Sequence, residues 1–154
     1  MFGLMRPLDL SAAPPRSAWQ RLDGLVLMPR SIDKLRAKLP GGNPGEYLTH
    51  RGVTPVLFKV IRVHEDALFE IVGTARDDDD VAAWLREHAD TSRYERANQL
   101  FSQLTVSSVP ADLHEIFESF YAGRDPGMER VLDVLDWDDA RTFGPPPPGQ
   151  QTSL

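Results

Sequence analysis

The chain has 154 residues, a length that suits one domain with a substantial buried core. It contains no cysteine, which excludes disulfide scaffolds, cysteine-ligated zinc, iron–sulfur centres and thiol nucleophiles. The formal charge of −6 is divided unevenly: residues 1–62 hold ten basic and four acidic side chains, a net of +6, whereas residues 63–154 hold seven basic and nineteen acidic ones, a net of −12.

The first 30 residues are rich in proline and predict an extended N-terminal arm that packs on the rest of the chain. A long helix cannot form there, because proline lacks the backbone N–H that a helix interior needs. The prolines concerned are Pro7, Pro14, Pro15 and Pro29. Residues 24–28 favour a short strand within this arm.

Residues 31–143 predict a single helical domain. Apolar residues recur there at the three- and four-residue spacing of a helix face, and no stretch alternates as a half-buried strand would. The predicted helices cover about 31–39, 53–61, 66–72, 81–88, 94–104, 112–120 and 128–135. Six to seven short helices of this kind predict an all-α fold, a compact helical bundle.

Local signals predict where some of these helices begin and end. Residues 77–80, four consecutive aspartates, are expected to cap a helix start, since carboxylates accept the free amides of a first turn. Ser92 and Glu95 favour a capping box at the next helix. Gly73 favours a helix end.

The two ends of the chain differ from its middle. The first seven residues hold too short an apolar run for a secretory signal, and no later run approaches the length of a membrane span. We therefore expect a cytoplasmic protein with no membrane partner. Residues 144–154, with four consecutive prolines, predict a disordered tail. A ligand for a proline-binding module is the alternative for this tail.

Several short strings occur in an order and spacing typical of one family. They are Pro7-Leu8-Asp9-Leu10, Pro14-Pro15-Arg16-Ser17, Pro29-Arg30, Asp33-Lys34, Arg36-Ala37, Gly45-Glu46-Tyr47, Asp66-Ala67-Leu68, Trp84, Asn98 and the run Leu132 to Asp139. In these strings the chain resembles an uncharacterised bacterial family, domain of unknown function family 5069, over most of residues 6–141. The resemblance implies no activity, substrate or cofactor. The proline-rich tail and residues 41–44 depart from the family pattern.

The densest polar cluster lies on the first predicted helix and in the loop after it. Arg30 and Lys34 are four residues apart and project from one side of a helix, where a row of cations can hold a carboxylate or a phosphate. The candidate ligand-binding residues are Arg30, Asp33, Lys34, Arg36, Glu46 and Tyr47. The alternative is that this basic face docks on the acidic half of the same molecule.

Other kinds of site are disfavoured. The glycine-rich loop 41–45 follows a helix, whose C-terminal end repels anions, so it does not resemble a phosphate-binding loop. The four histidines lack metal-ligand spacing, and the acidic net charge disfavours nucleic acid. We predict no metal and no cofactor.

These features predict a non-catalytic binding or interaction module, with an anionic small molecule or another protein as the partner. The alternative is a small enzyme or ligand-binding protein that holds an anionic metabolite with Arg30, Lys34 and Arg36. Asp33, Glu46 and Tyr47 would then supply hydrogen bonds or transfer protons.

Overall fold

The structure of the protein, a computed structural model, describes residues 3–145, without the side chains of Asp112, Leu113, Glu115, Ile116 and Phe120. Most of the predicted tail therefore lies outside the described residues. The described part contains a hairpin of β1 (Arg21–Leu22) and β2 (Leu25–Val26). It also contains α1 (Met28–Ala37), α2 (Val53–Val60), α3 (Glu65–Thr74), α4 (Asp78–His88), α5 (Tyr94–Gln103), α6 (Ala111–Tyr121) and α7 (Val131–Phe143).

The fold is mostly helical, as predicted, but the all-α prediction is corrected by the two-stranded hairpin. β1 and β2 pair in antiparallel register, with Arg21 opposite Val26. Asp23 and Gly24 both have positive φ, of 52° and 82°, as the tight turn of a two-residue hairpin requires. β1 was not predicted, because a strand of two residues is too short to show alternation.

Helix α1 begins at Met28, three residues before the predicted start. Pro29 lies in its first turn, where the missing N–H of proline would have had no helical partner. The preceding residues 3–20 contain no helix. Backbone hydrogen bonds hold this segment on the body, among them Met5 N to Ala75 O at 2.8 Å and Leu10 N to Asn43 O at 2.7 Å.

The apolar stripes correctly predicted α2 to α7, but several helix ends differ from the prediction. Asp77 caps α4 as expected, and its Oδ1 accepts the backbone N–H of Asp80 at 3.0 Å. Gly73, the predicted helix end, lies inside α3. The predicted capping box of Ser92 is replaced by Asp90, whose side chain accepts the Ser92 N–H at the start of a short 3-10 turn.

The apolar core lies between the hairpin and the helices. Helix α1 packs against α3, and α5 packs against β2 and α7. The largest fully buried side chains include Phe101, Leu25, Met28, Ile32, Leu57 and Leu132. Arg30 of the first helix and Asp139 of the last helix contact each other in this packing. Among residues 3–145, none of the helices has the length and apolar character needed to cross a membrane.

Candidate functional site

A row of three carboxylates on α7 faces the N-terminal part of the chain. Asp133, Asp136 and Asp139 are spaced by three, so they lie along one side of the helix. Asp133 accepts the indole N–H of Trp19 at 2.8 Å, and Asp136 accepts the backbone N–H of Ala18 at 2.9 Å. The Asp136 carboxylate also accepts the hydroxyl of Ser17. The row therefore ties α7 to residues 17–19.

The third carboxylate, Asp139, forms a buried ion pair with Arg30 of α1. Arg30 Nη1 donates to Asp139 Oδ2 at 2.7 Å, and Nη2 donates to Oδ1 at 3.3 Å. Both residues are almost fully buried, with 3% of Arg30 and 7% of Asp139 exposed. This bidentate contact combines charge attraction with two directed hydrogen bonds. Both are needed to offset the free-energy cost of removing the two charged groups from water.

Tyr47, in the loop after α1, completes this contact. Its hydroxyl donates to Asp139 Oδ1 at 2.7 Å, and the Arg30 guanidinium lies 5.5 Å from the centre of its ring. Burial raises the pKa of the Tyr47 hydroxyl well above its ordinary value, and the hydrogen bond to Asp139 raises it further. Tyr47 therefore remains protonated and acts as a hydrogen-bond donor.

Lys34 lies one helical turn after Arg30 and is also buried, with 7% of its surface exposed. Its Nζ donates to Thr54 Oγ1 of α2 at 3.2 Å. Burial lowers the pKa of Lys34 to about 7, and the nearby charge of Arg30 adds to this effect, while the charge of Asp139 opposes it. Lys34 therefore loses its proton far more readily than an exposed lysine does.

The hydrogen-bonding capacity of these two cations is not fully used. Among the described residues, Arg30 Nε has no hydrogen-bond partner. Lys34 Nζ can donate three hydrogen bonds, and Thr54 accepts one of them. Buried polar atoms are nearly always paired in proteins, so an unpaired Arg30 Nε in this cluster is unusual.

Asp33 and Arg36, also predicted as site residues, belong to a separate contact. Asp33 is buried and accepts from Arg16, at 2.8 Å from the backbone N and 3.0 Å from Nη2. The Arg16 guanidinium also bonds with Asp78 at the start of α4. Arg36 Nη1 lies 3.8 Å from Asp33, and its Nε donates to the backbone oxygen of Arg6 at 2.8 Å.

The structure thus brings three of the six predicted residues together: Arg30, Lys34 and Tyr47. Glu46 is exposed although it precedes Tyr47, because consecutive residues of a turn point in different directions. We call Arg30, Lys34, Tyr47, Thr54 and Asp139 the buried ion cluster.

Asp139 and Thr54 were not among the predicted site residues, although both belong to this cluster. One available signal was the three-residue spacing of Asp133, Asp136 and Asp139, which predicts a carboxylate face on a helix. A second signal was the opposed charge of the two halves of the chain, which predicts that this carboxylate face contacts basic residues of the first half. Among the described residues, no group of three His, Asp or Glu side chains could hold a metal ion.

The fold and the site define a mostly helical protein whose first and last helices are joined by a buried ion cluster. The family model "Domain of unknown function (DUF5069)" matches residues 12–141, which include every member of the cluster. The chain belongs to this family, as the sequence resemblance led us to expect. A comparison with curated proteins found no match.

Proposed function

We propose that this protein is a non-catalytic binding module and that Arg30, Lys34 and Tyr47 hold a small anion, either a carboxylate or a phosphate. One observation carries the proposal: two buried cations lie near a single buried carboxylate, that of Asp139. A buried cation without a partner costs free energy. An anion that bonds with Arg30 Nε and Lys34 Nζ would remove this cost.

Asp33, Arg36 and Glu46, the other predicted residues, lie outside this anion site. Asp33 and Arg36 fix the N-terminal segment against α1 through Arg16 and Arg6. Glu46, the neighbour of Tyr47, is exposed to solvent. Because the Tyr47 hydroxyl already bonds with Asp139, anion binding would require the loop that carries Tyr47 to move aside and then close again.

Binding at this site would be linked to a proton. An anion beside Lys34 favours the charged amine and so raises its pKa above about 7. At pH 8 the free protein holds Lys34 mostly neutral, so anion binding would take up a proton. This uptake distinguishes the buried ion cluster from exposed lysines, which are already charged at pH 8.

The experiment combines thermal unfolding with calorimetry, using inorganic phosphate, succinate and adenosine monophosphate as probes. At least one probe is expected to raise the melting temperature of the wild type and of Lys59→Met, a change at an exposed lysine of α2. The same probe should not stabilise Lys34→Met. Calorimetry at pH 8 in two buffers of different ionisation enthalpy should show proton uptake. Equal stabilisation of Lys34→Met, or no stabilisation by any probe, would overturn the proposal.

A small enzyme is the second candidate, and the pKa of Lys34 favours it. A neutral buried amine can attack a carbonyl carbon, and loss of the carbonyl oxygen as water leaves an imine. Glyoxylate with sodium cyanoborohydride would reduce such an imine to a stable secondary amine. Peptide mass mapping should then find the label at Lys34 in preference to Lys59. Equal labelling of both lysines would exclude this candidate.

We also propose that the N-terminal segment acts as an arm on a helical domain of residues 31–143. The contacts of Arg16 with Asp33 and Asp78 support this division. For residues 144–154 we propose a disordered tail with no part in the anion site. Removal of residues 146–154 should leave anion binding unchanged, which calorimetry would check. The cytoplasmic location stays a prediction.

A further inference from the structure

A second feature of the surface is an open cleft between residues 17–19 and the last helix. Its volume is about 640 Å³. Two indole rings and three carboxylates line it, together with Met128: Trp19, Trp137, Asp125, Asp133 and Asp136. The cleft is separate from the buried ion cluster, although Asp136 lies one helical turn before Asp139.

We propose that this cleft binds the guanidinium group of an arginine on an extended segment of a partner protein. Guanidinium groups stack on indole faces and pair with carboxylates, so a cleft with both kinds of wall suits this group. The proposed ligand of the cleft is a cation, whereas the ligand proposed for the buried ion cluster is an anion. The two proposals can therefore be tested independently.

The indole rings already show this preference within the chain. The Arg130 guanidinium lies 5.0 Å from the centre of the Trp19 ring, and that of Arg141 lies 4.5 Å from the Trp137 ring. A ring has two faces, and one guanidinium covers only one of them. Because both rings also line the cleft, part of each remains available to a group that enters it.

The carboxylates supply the charge. Asp125 is exposed, and its Oδ1 accepts the backbone N–H of Gly127 at 2.9 Å. Among the described residues, Asp125 Oδ2 bonds with no other group, so it can accept from an incoming guanidinium. Asp133 is already paired with Arg130 at 2.8 Å and accepts from Trp19, and Asp136 accepts from Ser17 and Ala18, so Asp125 is the carboxylate that pairs with the incoming group.

The shape and the surroundings of the cleft favour a peptide over a small free cation. An enclosed aromatic cage would suit a free cation, whereas an open cleft leaves room for a peptide backbone to pass. Residues 63–154 carry a net charge of −12, which attracts a basic segment from a distance. The proposed partner therefore carries arginine in an accessible, positively charged stretch.

The experiment titrates the full chain with the peptide N-acetyl-Gly-Arg-Gly-amide, and with the same peptide carrying citrulline in place of arginine. Citrulline has nearly the same shape but no charge. Indole N–H signals of the three tryptophans report binding by nuclear magnetic resonance. The arginine peptide should shift the signals of Trp19 and Trp137, and added salt should weaken the effect. Trp84, which stacks on His88 at 4.3 Å outside the cleft, serves as the internal reference.

Two variants and a matched control locate the site. Asp125→Asn and Trp137→Phe should each weaken binding by about threefold to tenfold, the range expected for one cation–π or charge contact. Glu87→Gln removes one exposed carboxylate on α4, away from the cleft, and should leave affinity unchanged. Lys34→Met should also bind the arginine peptide normally.

Three outcomes would overturn the proposal. The first is equal binding of the citrulline peptide, which would remove the role of charge. The second is an equal loss of affinity in Glu87→Gln and Asp125→Asn, which would mean that binding depends on the net charge of the protein and not on the carboxylate of the cleft. The third is the absence of any shift at Trp19 and Trp137 with millimolar arginine peptide.

Discussion

Arg30 and Asp139 are separated by 109 residues of sequence, yet Arg30 Nη1 lies 2.7 Å from Asp139 Oδ2. The contact joins the first helix to the last one inside the molecule. It is a buried ion pair between the basic first part of the chain and the acidic second part.

Asp139→Asn should lower the free energy of unfolding by about 3–5 kcal/mol, because it leaves the buried charge of Arg30 without its counterion. Urea denaturation measures the change. Asp138→Asn is the matched control: Asp138 pairs with Arg141 at the surface, and its loss should cost less than about 1 kcal/mol. Equal losses in the two variants would mean that the buried pair adds nothing beyond a surface contact.

Lys34 should make the free energy of unfolding rise with pH above neutrality. Its pKa in the folded protein, about 7, lies below the ordinary value of 10.5 that applies to the unfolded chain. Between these values the unfolded state binds more protons, so the free energy of unfolding rises with pH. The rise from pH 7 to pH 9 should be about 2 kcal/mol greater in the wild type than in Lys34→Met. Lys59→Met should keep the wild-type slope, and a parallel slope in Lys34→Met would refute the assignment.

Asn98 of α5 should be a strong determinant of hairpin stability. It is buried, its Oδ1 accepts the Val26 N–H at 2.9 Å, and its Nδ2 donates to Gly24 O at 2.7 Å. Asn98→Ala leaves both backbone groups unpaired and should cost about 1–3 kcal/mol for each of them. Gln99→Ala changes the exposed neighbour and should be nearly neutral. Chemical denaturation of the two variants, side by side, measures the difference.

Salt should lower the melting temperature modestly. Several ion pairs join the two charged halves near the surface, among them Arg16 with Asp78 and Lys38 with Glu65. Sodium chloride at 1 M reduces the screening length to about 3 Å and weakens such contacts. Calorimetric scans from 0.05 to 1 M salt should show a fall of a few degrees. A constant or rising melting temperature would contradict the docking of one half on the other.

The helices could be predicted because their signal is local. The spacing of Val53, Leu57 and Ile61 on one face is enough to mark α2. The apolar stripe of α7 ends at Leu135, but the helix continues to Phe143. Its second half is tied down by Ser17, Ala18 and Arg30 through Asp136 and Asp139. The three-residue spacing of these carboxylates marks a polar face of the helix, but it does not show which residues more than a hundred positions away that face contacts.

The candidate site shows the same limit. Arg30 and Lys34 could be grouped, because residues four apart share a helix face. Their burial could not be predicted, since it depends on α7 and on the loop that carries Tyr47. Glu46 was grouped with Tyr47 because both belong to the polar cluster and to the string Gly45-Glu46-Tyr47, but the turn exposes Glu46.

The 109-residue separation of Arg30 and Asp139 also orders events during translation. At about 5–20 residues per second, a ribosome adds Asp139 roughly 5–20 s after Arg30. Until then Arg30 has no carboxylate in α7, and Ser17, Ala18 and Trp19 lack their acceptors there. These contacts can therefore form only after α7 has left the exit tunnel.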